Sequence, residues 1–490
     1  MHRLTSDSPR NSVAKYGPRM SLHEEPVTSL PPDRFRDVLS AEGLVEFEQA
    51  IGRGRELLAS RTVWSVNSTG RGGGVAEMLR SLIGYARGAG VDARWAVIEG
   101  DAEFFRTTKR IHNRLHGHAG DGGPLGDSER AAYERCCAAN AEALLEQVQP
   151  HDVVLLHDPQ TAGIVPALVD AGVPVIWRAH VGLDLPNDLA REAWRFLIPY
   201  VEPARAYVFS RETYAWEGLE RSKIVLIPPS IDAFAPKNQV LSFTGITAIL
   251  RAAGLAADHH HPARAVFERL DGSVGALEHP ARLIEEEPLR LDVPLVAQVS
   301  RWDRLKDPLG VLAGFVEHVP AADEPHLVLV GPDVTAVADD PEGAEVLAET
   351  EAAWRELGSA DRRRVHLALL PMEDADENAV MVNALQRRAD VVVQKSLAEG
   401  FGLTVAEAMW KGRPVVASAV GGIQDQIEDG TTGYLVDAKD LAAFGDRVST
   451  LLADPHGAER IGEAAQLRVR DLFLGARHLA QYVDLFGRVL

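Results

Sequence analysis

Apolar and polar positions along this chain alternate between two periods. TVWSV (62–66) is a short β-rich run. The glycines Gly70, Gly72, Gly73 and Gly74 follow, then VAEMLRSLIGYARGAG places its apolar residues at helical spacing, and DARWAVIEG returns to strand character. The rhythm continues through DVVLLHD (152–158), a helix from about Thr161, PVIWRAH (174–180), a helix around Asn187 to Tyr200, AYVFS (206–210) and KIVLIPP (223–229). Between about Asp232 and Asp292 the strand signal fades into alanine, histidine and charge. A second series then opens with PLVAQVS (294–300), HLVLVGP (326–332), RVHLALLP (364–371), ADVVVQKS (389–396), RPVVAS (413–418) and TGYLV (432–436). Strands alternating with helices predict parallel sheets covered on both faces. The chain therefore reads as two doubly wound α/β domains in tandem, with ligands expected at the carboxyl ends of the strands, in the cleft between them.

The expected boundaries are 1–25, polar and disordered; 26–235, a first domain whose pattern is helical from Val27 to Ala59; 236–292, an interdomain passage with helical insertions; 293–472, a second domain; and 473–490, an amphipathic final helix. Composition narrows the function. Fifty-one Lys and Arg against 71 Asp and Glu leave a net charge of −20, which repels nucleic acid and anionic lipid and excludes both as expected partners. No apolar run approaches the ~18 residues of a membrane span, and the first 25 residues lack a signal-peptide core, so the cytoplasm is the expected location. Cys136 and Cys137 are adjacent, which disfavours a disulfide between them, and they read as thiols of an alanine-rich helix.

Three stretches carry candidate chemistry. The GRGGGV cluster lies between a strand and a helix, where side-chain-free backbone and unpaired N–H groups suit an anion; a tight structural turn explains it equally well. In SRWDRLKDP (300–308), Arg301 and Lys306 leave the first strand of the second domain and suit a diphosphate, unless they merely pair with Asp303 and Asp307. In QKSLAEGFGLTVAEAMWKGRPVVAS, a strand ends near Gln394, a loop carries Glu399, Gly400 and Gly402, and a helix opens near Leu403 or Thr404 with Glu407 in its first turns. Amides at that helix start can meet a phosphate, Glu399 can accept from sugar hydroxyls, and Glu407 can take both hydroxyls of a ribose. Asp374 and Asp376 spell DxD but read as helix-start acids, and the consecutive His259, His260 and His261 lack ligand geometry, so no metal and no cofactor is expected.

Arg301 and Lys306, followed by Glu399 and Glu407 as E-x7-E around GFGLT, resemble the family-4 retaining glycosyltransferases of GT-B fold, with two Rossmann-like domains, over nearly the whole chain from about Arg61. HDPQ (157–160), WRAHVGLD (177–184), IDAFAPKN (231–238), QVSRWDRLKDP (298–308), the block from Asn383 to Ser418 and VGGIQDQIEDGTTGYLV (420–436) resemble the trehalose glycosyltransferring synthases and the retaining trehalose phosphorylases. The resemblance implies that Gly73 and Gly74 face the donor phosphates and that Arg301 and Lys306 neutralise the leaving diphosphate. It implies further that Glu407 holds the ribose, and that Glu399 with Gly400, Phe401, Gly402, Leu403 and Thr404 holds the donor glucose. His180 matches the family's first-domain histidine near the sugar 6-hydroxyl. Asp158 and Gln160, with Asp184 and Lys395, are acceptor candidates; a structural salt bridge explains Lys395 equally well. Nucleobase contacts in this fold gather around Gly331 and Leu370, and the last helix crosses back to the first domain.

The reaction implied is transfer of glucose from an NDP-glucose to glucose, giving α,α-trehalose with retention and without a metal. Phosphorolysis of trehalose through α-glucose 1-phosphate, another sugar acceptor, and a nucleotide-sugar-binding regulator are the alternatives. The nucleobase and the oligomeric state, a homodimer included, stay open.

Overall fold

The computed structural model describes residues 22–70, 73–256, 265–322, 324–334 and 341–490. Residues 1–21, and with them most of the segment expected to be disordered, lie outside the described residues, as do Gly72 and His259 to His261. The first alternating series forms β1 (His23–Glu24), β2 (Thr62–Asn67), β3 (Asp92–Val97), β4 (Val153–His157), β5 (Val175–Arg178), β6 (Ala206–Phe209) and β7 (Ile224–Leu226). They lie in the order β1-β3-β2-β4-β5-β6-β7, parallel throughout except for the β1–β3 pair. After a hairpin of β8 (Val266–Glu268) and β9 (Val274–Ala276), the second series supplies β10 (Arg282–Ile284), β11 (Leu295–Val299), β12 (His326–Pro332), β13 (Val365–Leu370), β14 (Val391–Gln394), β15 (Val415–Ser418) and β16 (Tyr434–Val436). Their order is β10-β13-β12-β11-β14-β15-β16, again parallel except at the β10 edge. These are the two doubly wound domains that the alternation predicts.

Burial explains the run-like strands. In the first sheet, Trp64, Val66, Val154, Leu156, Trp177 and Tyr207 pack to one side, and Val63, Val153, Leu155, Ile176 and Val208 to the other. Each strand is thus apolar on both faces, as a helix-covered parallel sheet requires. In each sheet the chain leaves one central strand for a neighbour on one side and returns to the other side. That reversal falls at β2 and β4 in the first sheet and at β11 and β14 in the second. A crevice opens at the carboxyl ends of such strands.

Two boundaries differ from expectation. His23–Glu24 pairs with β3, so the ordered fold reaches into the segment read as disordered. The 236–292 passage does contain a helix, Phe243–Ala252, but it also holds β8, β9 and β10, and β10 already belongs to the second sheet. Three-residue strands are too short for a two-residue period to register.

The final helix, Gly475–Val489, packs on the first domain: Tyr482, Leu485 and Phe486 enter the core under β4, β5 and β6. A fully buried guanidinium fixes it there. Arg178 of β5 donates to Tyr482 Oη (2.6 Å) and to Ile227 O (3.1 Å), and stands 3.0 Å from His478 Nε2. Burial, with Arg178 beside it, holds the His478 pKa well below the usual histidine value. The neutral ring accepts at Nε2 and donates from Nδ1 to Ser230 Oγ at 2.8 Å. Removing the hydroxyl should leave a buried guanidinium short of an acceptor. Tyr482→Phe is therefore expected to cost about 2 kcal/mol, read as a fall in denaturation midpoint; an unchanged midpoint would show that Arg178 is satisfied without it.

Candidate active site

Two ion pairs join the loops after β11 and β14. Lys306 Nζ meets Glu399 Oε2, and Lys395 Nζ meets Asp307 Oδ2. Backbone braces them, since Leu397 N donates to Leu305 O (2.8 Å) and Gln298 Nε2 to Lys306 O (3.0 Å). Asp307 adopts a left-handed backbone (φ 51°) and caps the helix Pro308–His318 by accepting from Gly310 N at 3.1 Å. Lys395 is 1% exposed, so the structure places this acceptor candidate in a buried salt bridge beneath the cleft. Lys306 and Glu399 keep partial exposure. Arg301, largely exposed, reaches Asp303 Oδ2 at 2.7 Å, while Ser396 Oγ lies 3.3 Å from Glu399 Oε2.

Beyond Glu399 the chain passes Gly400, buries the Phe401 ring edge-on to Phe473 (5.7 Å between centroids), and turns at Gly402. Gly402 has φ +83°, a conformation that glycine adopts without strain, and it starts the helix Leu403–Trp410, with Thr404 half-buried in the first turn. Opposite stands the start of the first-domain helix Gly73–Gly88. A Cβ on Gly74 would lie 2.7 Å from Leu403 Cδ1, so the two helix starts face each other across the cleft. Between them is a cavity of about 670 Å³ lined by Gly73, Gly74, Glu77, Lys237, Leu403 and Glu407. Glu407 is buried, and its Oε1 lies 3.7 Å from Lys237 Nζ, which also binds Glu77 at 2.9 Å. Gly331, expected near a nucleobase, lies against Trp302: a Cβ on it would stand 2.5 Å from the indole.

The first domain supplies a polar cluster at the ends of β4 and β5. Asp158 has φ +64° and accepts from His180 N at 2.8 Å, and the His180 ring stacks near His157 with Nε2 3.0 Å from Nδ1. Burial pushes the His157 pKa down to about 3, and burial with Arg178 and His157 holds His180 well below the usual range, so both rings are neutral near pH 7. Burial raises the Asp158 pKa to about 6 against the opposing pull of the His180 amide and Arg178. A Cβ on Gly400 would lie 3.8 Å from His180 O, which sets this cluster against the Glu399 loop. Gln160 follows in the short helix Asp158–Ala162, half-buried, its carbonyl 3.8 Å from Cys137 Sγ.

Asp184, another acceptor candidate, has protein partners in both domains. Oδ1 accepts from Arg211 (2.6 Å) and Thr213 Oγ1 (3.1 Å) of its own domain, and Oδ2 from Gly421 N (2.9 Å) and Gln424 Nε2 (3.1 Å) of the second, so Oδ2 links the two domains. The sequence reading missed Lys237, Arg211 and the pair His112 and His116, whose rings are 4.9 Å apart. Burial lowers both histidine pKa values; His112 also feels Arg301, and His116 feels Glu399 and Lys306. Their i, i+4 spacing on the helix Ala102–Leu115 and its cap is the signal that was there to find. Asp374 and Asp376 bind Arg269 at 2.6 and 2.8 Å, and among the described residues no group of three His, Cys, Asp or Glu is placed to hold a metal ion. Among them, too, no helix is long and apolar enough to cross a membrane.

Residues 65–216 match the trehalose synthase N-terminal domain, and residues 282–468 match the glycosyl transferases group 1 domain. An α,α-trehalose-phosphate synthase (UDP-forming) from Burkholderia vietnamiensis superposes with a TM-score of 0.62 at 16% identity, covering 87% of this chain and 98% of that one. Fold and domain matches together define a glycosyltransferase of GT-B architecture. The trehalose synthase of Thermococcus litoralis is 36% identical over 92% of this chain and 96% of its own length. The trehalose phosphorylase of Grifola frondosa is 26% identical over 83% of this chain but only 54% of its own. With that coverage and identity, the chain belongs to the trehalose synthase family of glycosyltransferases.

The raised Asp158 pKa has a testable sign. Between the usual carboxyl value near 4 and about 6, the folded state holds a proton that the unfolded chain has released. This group's contribution to stability is therefore fully present below about 4 and is lost as pH rises through about 6. Asp158→Asn stays neutral and tolerates the left-handed backbone, so its melting temperature relative to the wild type should climb from pH 4.5 to pH 7.5. A flat difference would show that the carboxyl is not perturbed.

Proposed function

We propose that the protein transfers glucose from a nucleoside diphosphate glucose to free glucose, forming α,α-trehalose with retention of the donor's anomeric configuration. The observation that carries this reading is the placement of the Lys306–Glu399 pair at the second sheet's reversal point, with His180 and Asp158 across the cleft. The family relation over 92% of the chain supports it. In this reading the donor's nucleoside part occupies the cavity between Gly74 and Leu403, with Glu407 at the ribose. The diphosphate meets Gly73, Gly74, Arg301 and Lys306. The glucose rests on Glu399 and the Gly400–Gly402 backbone beneath His180, and the acceptor takes Asp158 and Gln160.

No carboxylate is assigned as a nucleophile, because in this reading Glu399 is committed to the sugar hydroxyls. The acceptor hydroxyl therefore attacks on the face from which the diphosphate departs, and the departing phosphate oxygen takes its proton. Catalysis rests on positioning and on cations fixed where charge develops. Neutral His180 donates or accepts a hydrogen bond at the sugar without adding charge. Asp158, ionised above about pH 6, orients the acceptor hydroxyl. Two cations and two helix starts take the place of a divalent metal.

Incubation with ADP-, UDP- and GDP-glucose, each with glucose, should release the nucleoside diphosphate only when glucose is present and yield a non-reducing disaccharide, with activity surviving EDTA. Trehalose cleavage with phosphate and no nucleotide would favour the phosphorylase reading instead. Lys306→Ala should lower kcat on the order of 10² or more, because the charge matters most as the diphosphate leaves. Glu407→Ala should raise the donor KM more than it lowers kcat. A Lys306→Ala enzyme with unchanged kcat would reduce Lys306 to a docking cation.

A further inference from the structure

The loop carrying Glu399 belongs to the second domain, yet it is held from the first. After β6 the chain makes the single helical turn Glu212–Tyr214 and delivers Tyr214, 2% exposed, to the backbone on either side of the Glu399–Gly400 peptide. The Tyr214 hydroxyl lies 3.0 Å from Glu399 O and 2.7 Å from Gly400 O, sharing its one proton between them. Gly400 O also accepts from Gly422 N at 3.1 Å. Burial raises the Tyr214 pKa, so the hydroxyl remains a donor.

The surroundings are built to admit that contact. A Cβ on Gly182, in the loop after β5, would stand 2.2 Å from Tyr214 Cγ, so a larger residue there would displace the ring. A Cβ on Gly421 would stand 1.7 Å from Glu399 O and 2.9 Å from the Tyr214 hydroxyl. Beside the ring, Arg211 bridges Asp184 (2.6 Å) and Asp425 (3.0 Å), one carboxylate from each domain. Three glycine-containing stretches, WRAHVGLD, AEGFG and VGG, thus converge on one tyrosine that none of them contains.

We infer that Tyr214 is a positioning residue for glycosyl transfer: it fixes the Glu399–Gly400 backbone from the opposite domain, and so sets where the Glu399 carboxylate and the following amides point. The inference rests on the reading of this loop as the element that holds the donor sugar. The nucleotide cavity at Gly74, Leu403 and Glu407 lies on other residues, so sugar and nucleotide binding should respond differently to loss of the hydroxyl.

Tyr214→Phe keeps the ring beside Gly182 and removes only the donor. Calorimetric titration with UDP, ADP, UDP-glucose and ADP-glucose should show weaker binding of whichever nucleotide-glucose the wild type accepts, and no comparable weakening for the nucleoside diphosphate. Donor turnover in the presence of glucose should fall about tenfold or more, the scale of a misplaced reacting group. Unchanged turnover together with unchanged nucleotide-glucose affinity would overturn the inference. If Tyr214→Phe melts far below the wild type, 3-fluorotyrosine at position 214 keeps both ring and hydroxyl. A positioning role then predicts a kcat that shifts with the phenol's acidity, and a purely packing role predicts wild-type kcat. Wild-type protein that binds no nucleotide-glucose would sink the reading of the loop and the inference with it. Wild-type protein that binds one but makes no trehalose would sink only the proposed acceptor.

Discussion

The Lys306–Glu399 ion pair is the contact around which the cleft is organised. It joins the carboxyl ends of β11 and β14, the two strands between which the second sheet reverses direction, and it does so where both groups are only partly exposed. A charge in such a place costs free energy unless it is compensated. Lys306 and Glu399 compensate each other's charge, and the Ser396 hydroxyl adds a second contact to the carboxylate. In the parallel Lys395–Asp307 pair the ammonium is closed off from solvent, and the pair ties the start of the helix Pro308–His318 to the same loop. One pair fixes the scaffold; the other remains within reach of a ligand. In the proposed reaction a diphosphate replaces Glu399 as the partner of Lys306, which frees the carboxylate for the sugar hydroxyls.

The remaining parts of the structure bring the first domain to that pair. Arg178 holds the final helix against the first sheet, so the chain crosses from first domain to second and back again. Lys237, in the passage between domains, reaches both Glu77 and Glu407. Asp184 and Arg211 close the opposite side of the cleft onto Gly421 and Asp425. A net charge of −20 over the whole chain coexists with a cleft in which Lys237, Arg301 and Lys306 are each paired with an acid of the chain's own.

Much of this was legible in the sequence because the parallel strands are buried on both faces and stand out as apolar runs. The edges were not: β1 and β10 are two and three residues long and partly exposed, below what periodicity can register. In the site, E-x7-E around GFGLT and the SRWDRLKDP loop pointed to residues that the fold brings together. For Asp184, in the loop after β5, a carboxylate in a sequence gives no hint of whether its partners are substrate hydroxyls or, as in the structure, Arg211, Thr213 and the other domain's Gly421 and Gln424. Tyr214 lies in none of the quoted motifs, and Lys237 sits in IDAFAPKN without a role being read for it; their roles arise from contacts 185 and 170 positions away in sequence. Such long-range pairings are set by tertiary packing and leave no mark on a single sequence.

The exchange of Lys306 from Glu399 to a diphosphate is most directly tested by a double-mutant cycle on binding of the nucleoside diphosphate alone. If Glu399 holds Lys306 in the empty site, Glu399→Gln should tighten binding by about tenfold, the scale of a modest ion pair released, and Lys306→Met should weaken it. The double variant should bind no more tightly than Lys306→Met alone. Tightening that persists in the double variant would mean that Glu399 acts on the ligand directly, and an affinity unchanged by Glu399→Gln would contradict the exchange altogether.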